Sequence, residues 1–341
     1  MSSRSSSDAY TVGLVGAGGI ARAHLPAWLA LGVDVVVWST EGAADLVLEH
    51  GGTETGSLEE LLALCDAVDV CTPTPTHAGL VRRAAAAGRD ILCEKPLART
   101  AKEAAALVEE CQRAGVQLYP GHVVRYFPEY AALHAAVTSG VLGEIAVQRF
   151  SRTGSRPLAP WFSDDDLSGG LVLDQSLHDL DFARWTAGEV VRVFAREVQE
   201  APAGGLRSAQ VILTHAAGAI SYVTGTWARA GTTFRTRYEV AGTAGVLQHD
   251  SREHPPLVVD GGPVRTSGTG LLPDRSHTES PFLTEIREMY AAFRGGPPPR
   301  VTAWDGVQAI RLAEAAIESI RSGRAVALEP AGVAARVGGV E

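Results

Sequence analysis

The sequence of 341 residues contains no run of about 20 apolar residues, the length that a membrane-spanning helix needs. Residues 1–9 are polar and rich in serine, without the apolar centre of a secretion signal, so we expect a disordered N-terminus and a cytoplasmic protein. Basic side chains are outnumbered, 30 against 39 acidic ones, for a net charge of -9. This charge opposes unspecific binding to nucleic acid or to a membrane surface, and it favours a small-molecule ligand.

Cysteine is also scarce, and its spacing argues against two kinds of site. The four cysteines form no Cys-x-x-Cys pair, so neither a zinc ribbon nor a disulfide framework is indicated. We interpret them as small core residues and predict no metal site. They are Cys65, Cys71, Cys93 and Cys111.

Lysine is almost absent from the chain. Lys95 and Lys102 are the only two lysines, and arginine supplies the rest of the strongly basic residues. An arginine keeps its proton near neutral pH, whereas a lysine can release its proton where its surroundings lower its pKa. A lysine that is retained at position 95, inside a segment expected to be buried, is therefore a candidate for chemistry.

Residues 10–119 alternate short apolar runs with helical patterns, which is typical of strand-helix-strand units on a parallel sheet. Capping boxes at Ser57 to Glu60 and Thr100 to Glu103 predict the starts of two of the helices. We therefore predict an α/β fold in which residues 10–121 form a doubly wound parallel sheet.

The pattern changes after residue 121 to longer alternating segments. They predict an α+β domain over residues 122–330 with an open, mostly antiparallel sheet. One helical stretch at 170–187 interrupts the strands, and residues 249–280 are rich in Gly, Pro and Ser and predict loops. Two C-terminal helices are expected to pack back on the body, and residues 331–341 to form a loose tail.

A glycine-rich turn lies between the first predicted strand and the first predicted helix. Gly16, Gly18, Gly19 and Ile20 lead into Ala21 in the pattern G-x-G-x-x-A. Such glycines let the backbone turn tightly and approach a pyrophosphate, which then rests on the free amides of the helix N-terminus. A structural tight turn would look similar, but the strand-turn-helix context favours a dinucleotide-binding Rossmann domain.

The second strand ends on hydroxyl side chains rather than on the acid that usually binds the ribose of NAD. Ser39 and Thr40 stand at this place, and Glu41 comes slightly later. Two hydroxyls could hydrogen-bond a phosphate on the ribose, yet no arginine or lysine adjoins them. NAD and NADP are both open as the cofactor.

Two further segments end strands on the same carboxyl edge, where ligands of a doubly wound sheet bind. In the first, prolines and threonines predict a capped turn, and the position adds contact with the cofactor. The second is Glu94-Lys95-Pro96, where an ammonium can hydrogen-bond a substrate oxygen and stabilise charge that develops there. A solvated lysine at a strand end is the alternative. The residues of the first segment are Thr72, Pro73, Thr74 and His77.

Asp174 and His178 open the predicted helix of the second domain. Residues four apart share a helix face, so the two side chains are expected to project together. A histidine beside a carboxylate can act as a base, since the carboxylate orients its ring. Metal binding, helix capping and a buried polar network are alternatives. A metal is disfavoured because no further His or Cys ligands stand at the expected spacings.

In chain order, the glycine turn, Thr72-Pro73 with His77, Glu94-Lys95-Pro96 and Asp174-x-x-x-His178 resemble the Gfo/Idh/MocA oxidoreductase family, which includes glucose-fructose oxidoreductase and inositol dehydrogenases. The resemblance implies hydride transfer between a nicotinamide and a hydroxyl or keto carbon of a sugar, cyclitol or related polyol. It implies that Lys95 polarises the oxygen, that His178 takes or returns the proton, and that Asp174 binds a hydroxyl or holds His178. It also implies a homodimer or homotetramer built across the open sheet.

The resemblance extends to residues with less distinctive patterns. It implies that Glu94 and Lys95 also contact the cofactor, that His122 and Arg125 follow the last strand near nicotinamide and substrate, and that Arg152 and Trp161 line the sugar side. Trp161 could equally be a core or interface aromatic. Two other functions compete: a glycosidase that uses NAD for transient oxidation, and a non-catalytic cofactor-binding sensor, against which Lys95 and His178 argue.

Overall fold

The computed structural model describes residues 10–200, 205–252 and 279–329. The predicted N-terminal segment, the predicted C-terminal tail and most of the predicted loop at 249–280 lie outside the described residues. The chain divides into two compact units, the first joining Met1–Phe127 to Glu279–Val307 and the second joining Pro128–Thr278 to Gln308–Glu341. The pattern change at residue 121 falls close to the first crossing between units, and the chain then returns to the first unit near its C-terminus.

The helices and strands follow one another along the chain in two parts. The first part consists of β1 Thr11–Val15, α1 Ala21–Ala30, β2 Asp34–Trp38, α2 Ala43–His50, β3 Thr53–Glu54, α3 Leu58–Leu64, β4 Ala67–Val70, α4 Thr74–Ala86, β5 Asp90–Glu94, α5 Ala101–Ala114 and β6 Leu118–Gly121. The second part consists of α6 Pro128–Thr138, β7 Ile145–Ser155, α7 Asp165–Ser168, α8 Leu177–Ala187, β8 Val190–Gln199, β9 Arg207–His215, β10 Ile220–Ala228, β11 Arg235–Gly242, β12 Gly245–Asp250, α9 Pro281–Phe293, α10 Ala303–Ser322 and β13 Val326–Ala327.

The first unit is built on a sheet of six strands, all parallel, in the order β3-β2-β1-β4-β5-β6. Parallel neighbours need crossover connections, which the intervening helices supply. The order reverses direction at β1, so this is the predicted doubly wound Rossmann sheet. Because all strands run the same way, the turns after β1, β2, β4, β5 and β6 lie along one edge of the sheet.

The hydroxyl cap of each predicted capping box is present in the first unit. Ser57 Oγ accepts a hydrogen bond from the Glu60 amide at 3.1 Å, and Thr100 Oγ1 accepts one from the Glu103 amide at 3.1 Å. Each bond satisfies an amide that the first turn of a helix leaves free. These local patterns therefore predicted the starts of α3 and α5 correctly.

Helix α9 belongs to the first unit and covers α1. Phe282, Ile286 and Met289 of α9 are buried in one core with Leu25 and Trp28 of α1. The late segment thus completes the hydrophobic layer on this face of the Rossmann sheet. Within the described ranges, no helix combines the length and the apolarity that crossing a membrane requires.

The second unit is built on a sheet of seven strands in the order β12-β11-β7-β10-β9-β8-β13. All neighbours are antiparallel except β7 and β10, which are parallel. The sequence prediction of a mostly antiparallel sheet is confirmed. Helix α8 packs on this sheet, where Phe182 makes edge-to-face contacts with Tyr130 and Phe150.

The start of α8 is not a regular α-helix. Residues Val172–Ser176 form a π-helical turn that runs directly into α8 at Leu177. Asp174 lies inside this turn and His178 at the start of the regular helix. The four-residue spacing that the sequence prediction used therefore spans a change of helix type, and π-helical turns are frequent at functional sites.

Candidate active site

The glycine turn between β1 and α1 needs glycine for two different reasons. Gly16 has φ 109, and a Cβ there would lie 2.6 Å from the Cys71 carbonyl oxygen. At Gly18 and Gly19 a Cβ would meet nothing within 4 Å, and both residues are exposed. Among the described residues no side chain caps α1, which begins after half-buried Ile20. The turn thus presents backbone to open space at a helix N-terminus, so these residues fit a dinucleotide pyrophosphate.

The end of β2 is accessible and lies among acidic rather than basic groups. Ser39 is half-buried and Thr40 is exposed, and Ser39 Oγ accepts a hydrogen bond from the Glu41 amide at 3.4 Å. Glu41 and Asp45 are exposed nearby in sequence, and no lysine or arginine occurs between residues 34 and 50. A phosphate on the ribose would therefore meet hydroxyls and no cation from this segment.

The turn after β4 is capped as the sequence predicted, and His77 links it to the turn after β5. Thr76 Oγ1 donates to the Pro73 carbonyl at 2.8 Å, and Thr72 is held by the Thr76 hydroxyl at 2.7 Å. The His77 ring is buried, with Nδ1 2.9 Å from the Pro96 carbonyl oxygen and Nε2 2.8 Å from that of Thr72. Burial lowers the pKa of His77. The ring therefore bridges two backbone segments, and Thr74 is buried beside it.

Glu94-Lys95-Pro96 ends β5 on the same edge as the glycine turn, with Lys95 half-buried and its peptide bond to Pro96 in the cis form. The Glu94 carboxylate does not face solvent, because the residue is 6% exposed. Its Oε2 accepts a hydrogen bond from the Lys95 backbone amide at 2.9 Å. The carboxylate thus fixes the backbone from which the Lys95 side chain extends.

Behind Glu94 lies a buried polar cluster that the sequence prediction missed. Asp69 of β4 accepts a hydrogen bond from Trp28 Nε1 at 2.7 Å, and its Oδ2 lies 2.8 Å from His24 Nδ1. His24 Nε2 lies 3.3 Å from Glu94 Oε1. Two features of the sequence could have indicated this cluster: a charged residue inside the apolar run of β4 and a histidine among the apolar residues of α1. The two positions are far apart along the chain, so no local pattern connects them.

The cluster contains the donor types of a metal site, since His24, Asp69 and Cys71 bring ligand atoms within 4.8 Å of one another. Their arrangement is nevertheless that of hydrogen-bonded groups. Asp69 Oδ2 is already in hydrogen-bond contact with His24 Nδ1 and Trp28 Nε1, and Cys71 Sγ lies 3.4 Å from Asp69 Oδ1. Burial raises the pKa of the Cys71 thiol, which keeps it from becoming the thiolate that binds a metal.

Glu285 of α9 adds a third buried carboxyl group to this region. It is fully buried, and neither carboxyl oxygen has a hydrogen-bond partner among the described residues. Burial, and next the charge of Glu94, raise the pKa of Glu285 well above its ordinary value. The raised pKa favours the neutral carboxylic acid, which avoids an uncompensated buried charge.

Replacing Glu285 with glutamine should stabilise the protein increasingly as the pH rises. The folded state binds the proton of Glu285 more tightly than the unfolded chain does. The contribution of Glu285 to the free energy of unfolding is therefore largest below its pKa in the unfolded chain, and it falls as the pH rises towards its pKa in the folded state. Between these two pKa values the stability lost by the wild-type protein approaches about 1.4 kcal/mol per pH unit. Chemical unfolding from about pH 5 to about pH 8 measures it. Glu318→Gln, at an exposed position of α10, is the control; a Glu285→Gln advantage that does not grow with pH contradicts the prediction.

Asp174 and His178 are the two partly exposed positions of an otherwise buried segment in the second unit. Both are half-buried, whereas the remaining side chains from Leu171 to Ala183 are buried. Solvent therefore reaches both positions, although Asp174 lies in the π-helical turn and His178 in the regular helix. The buried neighbour Asp179 belongs to a different group of contacts.

Asp179 pairs with Arg152 inside the second unit. Arg152 donates from Nη2 to Asp179 Oδ1 at 2.8 Å and from Nε to Oδ2 at 3.1 Å, and Nη2 also reaches the Tyr130 hydroxyl at 3.3 Å. Arg152 is 4% exposed. The structure therefore gives this arginine internal partners, in contrast to the substrate-facing position that the resemblance implies.

The other substrate candidates also differ in accessibility. Arg125 is 1% exposed and donates from Nη1 to the Arg300 carbonyl at 2.9 Å, and Asp305 lies 3.3 Å away. His122 is 1% exposed. Trp161 is half-buried and stacks on Phe162 at 3.8 Å. Of these candidates, Trp161 has the most accessible side chain.

Comparison with known families gives a match to each unit. Residues 10–122 match a model described as an oxidoreductase family with an NAD-binding Rossmann fold, and residues 130–248 match the GFO/IDH/MocA C-terminal domain. The chain is 30% identical over 335 residues to inositol 2-dehydrogenase from Rhizobium meliloti, covering 93% of this chain and 98% of that protein. It is 32% identical over 271 residues to myo-inositol 2-dehydrogenase from Thermotoga maritima, covering 77% and 80%.

Solved structures with the same fold span nearly the whole chain. GenD2 from gentamicin A biosynthesis, in complex with NAD, superposes with a TM-score of 0.85 at 26% identity, covering 96% of this chain and 99% of that one. A putative myo-inositol dehydrogenase from Sinorhizobium meliloti superposes with a TM-score of 0.79 at 28% identity, covering 94% and 100%.

Proposed function

The chain belongs to the Gfo/Idh/MocA oxidoreductase family, and we propose that it oxidises a hydroxyl carbon of a cyclitol or cyclic sugar with a bound nicotinamide dinucleotide as the hydride acceptor. The observation that carries this proposal is the carboxyl edge of the Rossmann sheet. There the open glycine turn, the capped turn at Thr72 and the anchored Lys95 follow the ends of β1, β4 and β5.

The glycine turn binds the cofactor in this proposal. Gly18 and Gly19 leave room for the pyrophosphate, and the first amides of α1 donate hydrogen bonds to it. Ser39 and Thr40 bind the adenosine ribose through their hydroxyl groups. A nicotinamide held on this edge supplies the acceptor for the hydride that leaves the substrate C–H bond.

Lys95, His178 and Asp174 act on the substrate in roles that follow the family pattern. Lys95 donates a hydrogen bond to the substrate oxygen and stabilises negative charge as the O–H bond breaks. His178 accepts the hydroxyl proton, and Asp174 orients its ring or binds a neighbouring hydroxyl. The C–H bond loses a hydride, the O–H bond loses a proton, and the carbon becomes a carbonyl carbon.

The substrate class rests on the named relatives, which include inositol and D-apiose dehydrogenases. A panel of myo-inositol, scyllo-inositol, D-apiose and D-xylose, each with NAD or NADP, tests it through the near-ultraviolet absorbance of reduced nicotinamide. We expect net reduction with at least one cyclitol. Release of sugar from a glycoside without net reduction would replace the proposal with a glycosidase, and cofactor binding without turnover would replace it with a sensor.

NAD should serve better than NADP, because the end of β2 carries hydroxyls and acids without a cation. We expect kcat/KM for NAD to exceed that for NADP about 10- to 100-fold, the range that one or two charge-assisted hydrogen bonds supply. Thr40→Arg should narrow this ratio by improving NADP, and Thr40→Ser is the matched control. A wild-type preference for NADP would overturn the assignment of the ribose site.

The family pattern also supports a homodimer or homotetramer. Ile220 and Tyr222 leave apolar side chains exposed on β10, a central strand of the second sheet. Sedimentation of the purified protein measures the assembly, and a monomer at micromolar concentration would contradict it.

A further inference from the structure

The His24 ring is enclosed between two carboxylates that come from different strands. Its Nδ1 lies 2.8 Å from Asp69 Oδ2, and its Nε2 lies 3.3 Å from Glu94 Oε1. Within the described ranges, neither His24 Nε2 nor Glu94 Oε1 has a hydrogen-bond partner. The ionic attraction between these two buried atoms is therefore what compensates both of them.

The charges of the cluster allow this attraction. Burial lowers the pKa of His24, but Asp69 and Cys71 raise it, and the net result lies well above the ordinary value. Glu285 faces the same cluster from α9, and burial and the charge of Glu94 raise its pKa, which favours its neutral form. The remaining neighbours of the ring include the uncharged Phe282, with ring centroids 5.4 Å apart. One imidazolium thus stands between two carboxylates.

The Glu94 carboxylate is held on three sides. Oε1 faces His24, and Oε2 accepts the Lys95 amide at 2.9 Å. The third side is Gly121, which pairs with Glu94 in the register of β5 and β6. A Cβ at Gly121 would lie 3.0 Å from Glu94 Oε1 and 3.1 Å from its Cδ, so the carboxylate occupies the space that a side chain would fill.

We propose that His24 is a positioning residue for Lys95: it holds the Glu94 carboxylate from behind, and Glu94 in turn holds the backbone amide of Lys95. The proposal rests on the proposed function, in which Lys95 contacts the substrate oxygen. Without the imidazolium, Glu94 Oε1 is a buried anion with no compensation, and the carboxylate turns away from the Lys95 amide. The ammonium then loses its alignment with the substrate.

A double-mutant cycle tests whether His24 acts through Glu94. His24→Gln and Glu94→Gln should each lower kcat about 10- to 100-fold, as misplacement of a reacting group does, and each should leave the Kd of NAD within about threefold. The kcat of the double variant should be no lower than that of the slower single variant. Either single change already removes the contact between His24 and Glu94, so the second change has nothing further to disrupt. If the fold-losses in kcat of the two single variants multiply in the double variant, the proposal is wrong.

His215→Gln is the matched control, because His215 is also buried and both ring nitrogens have partners, at 2.8 Å from the Gly188 carbonyl and 2.7 Å from Ser221 Oγ. It removes a buried histidine from the second unit and should leave kcat unchanged. If it lowers kcat as much as His24→Gln does, the effect is general destabilisation and the proposal is wrong.

A readout that needs no substrate follows from the scarcity of lysine. Reductive methylation with 13C-formaldehyde labels the N-terminal amine and two lysines, Lys95 and the exposed Lys102. In the NMR spectrum His24→Gln and Glu94→Gln should move the Lys95 methyl signal and leave the Lys102 signal in place. A Lys95 signal that stays fixed in both variants overturns the proposal.

Gly121→Ala tests the same link without changing a charge, and it serves if His24→Gln does not fold. The added methyl group should displace the Glu94 carboxylate, move the Lys95 methyl signal and lower kcat in the same direction as Glu94→Gln. An unmoved signal would again contradict the proposal. If the Lys95 signal moves but Lys95→Met keeps the wild-type rate, the positioning holds and the proposed function fails, so the two failures are distinguishable.

Discussion

Replacing Lys95 with methionine should lower kcat about 100- to 1,000-fold, the loss that follows removal of one donor to a developing oxyanion. Methionine is close to lysine in length but carries no charge and donates no hydrogen bond. The backbone amide at position 95 still donates to Glu94, so the turn should keep its shape. The Kd of NAD, measured by fluorescence titration, should therefore change little.

Lys102→Met provides the control for this change, because Lys102 is the only other lysine and lies exposed in the first turn of α5. It should leave both kcat and the Kd of NAD unaltered. Turnover at the wild-type rate in the Lys95 variant would remove this residue from the chemistry. A loss of NAD binding comparable to the loss of kcat would instead make Lys95 a cofactor residue.

Replacing His178 with alanine should lower kcat about 100- to 10,000-fold, the range for removal of a general base. His178 is half-buried, so the change opens space that a small molecule can reach. Imidazole added to the assay should therefore restore part of the rate. Stopped-flow measurement of the first turnover separates the chemical step from product release.

His134→Ala, on helix α6 of the same unit, is the matched control for the His178 variant. The His134 ring stacks on Trp185 at 3.5 Å and lies outside the Asp174 to His178 segment. Its removal should leave kcat unchanged and insensitive to imidazole. If the His178 variant keeps more than a tenth of the wild-type rate, far above the loss expected for a general base, another group takes the proton.

The sequence predicted the parts of this molecule that depend on neighbours along the chain. The glycine turn, the Ser57 and Thr100 caps and the capped turn after β4 each involve residues within a few positions of one another. Hydrophobic alternation likewise predicted the two sheets, because the period of a strand is a local property. Together these local features are sufficient to place Gly16, Thr72 and Lys95 on one edge of the parallel sheet.

The sequence could not predict the parts that depend on distant segments. His24, Asp69, Glu94 and Glu285 come from α1, β4, β5 and α9, and only the fold brings them together. The internal ion pair of Arg152 with Asp179 is a second example, since an arginine in a strand is equally compatible with facing a substrate. Charge and burial decide such roles, and both follow from tertiary packing.

Transfer of the carbon-bound hydrogen to the cofactor is the step that defines the proposed reaction. Myo-inositol with deuterium on every ring carbon is incubated with the protein and NAD, and the reduced cofactor is analysed by mass spectrometry; another panel member replaces it if that member is turned over faster. We expect one deuterium in each reduced cofactor molecule and a slower rate than with the unlabelled compound. Reduced cofactor without deuterium, or no reduction with any member of the panel, would contradict it.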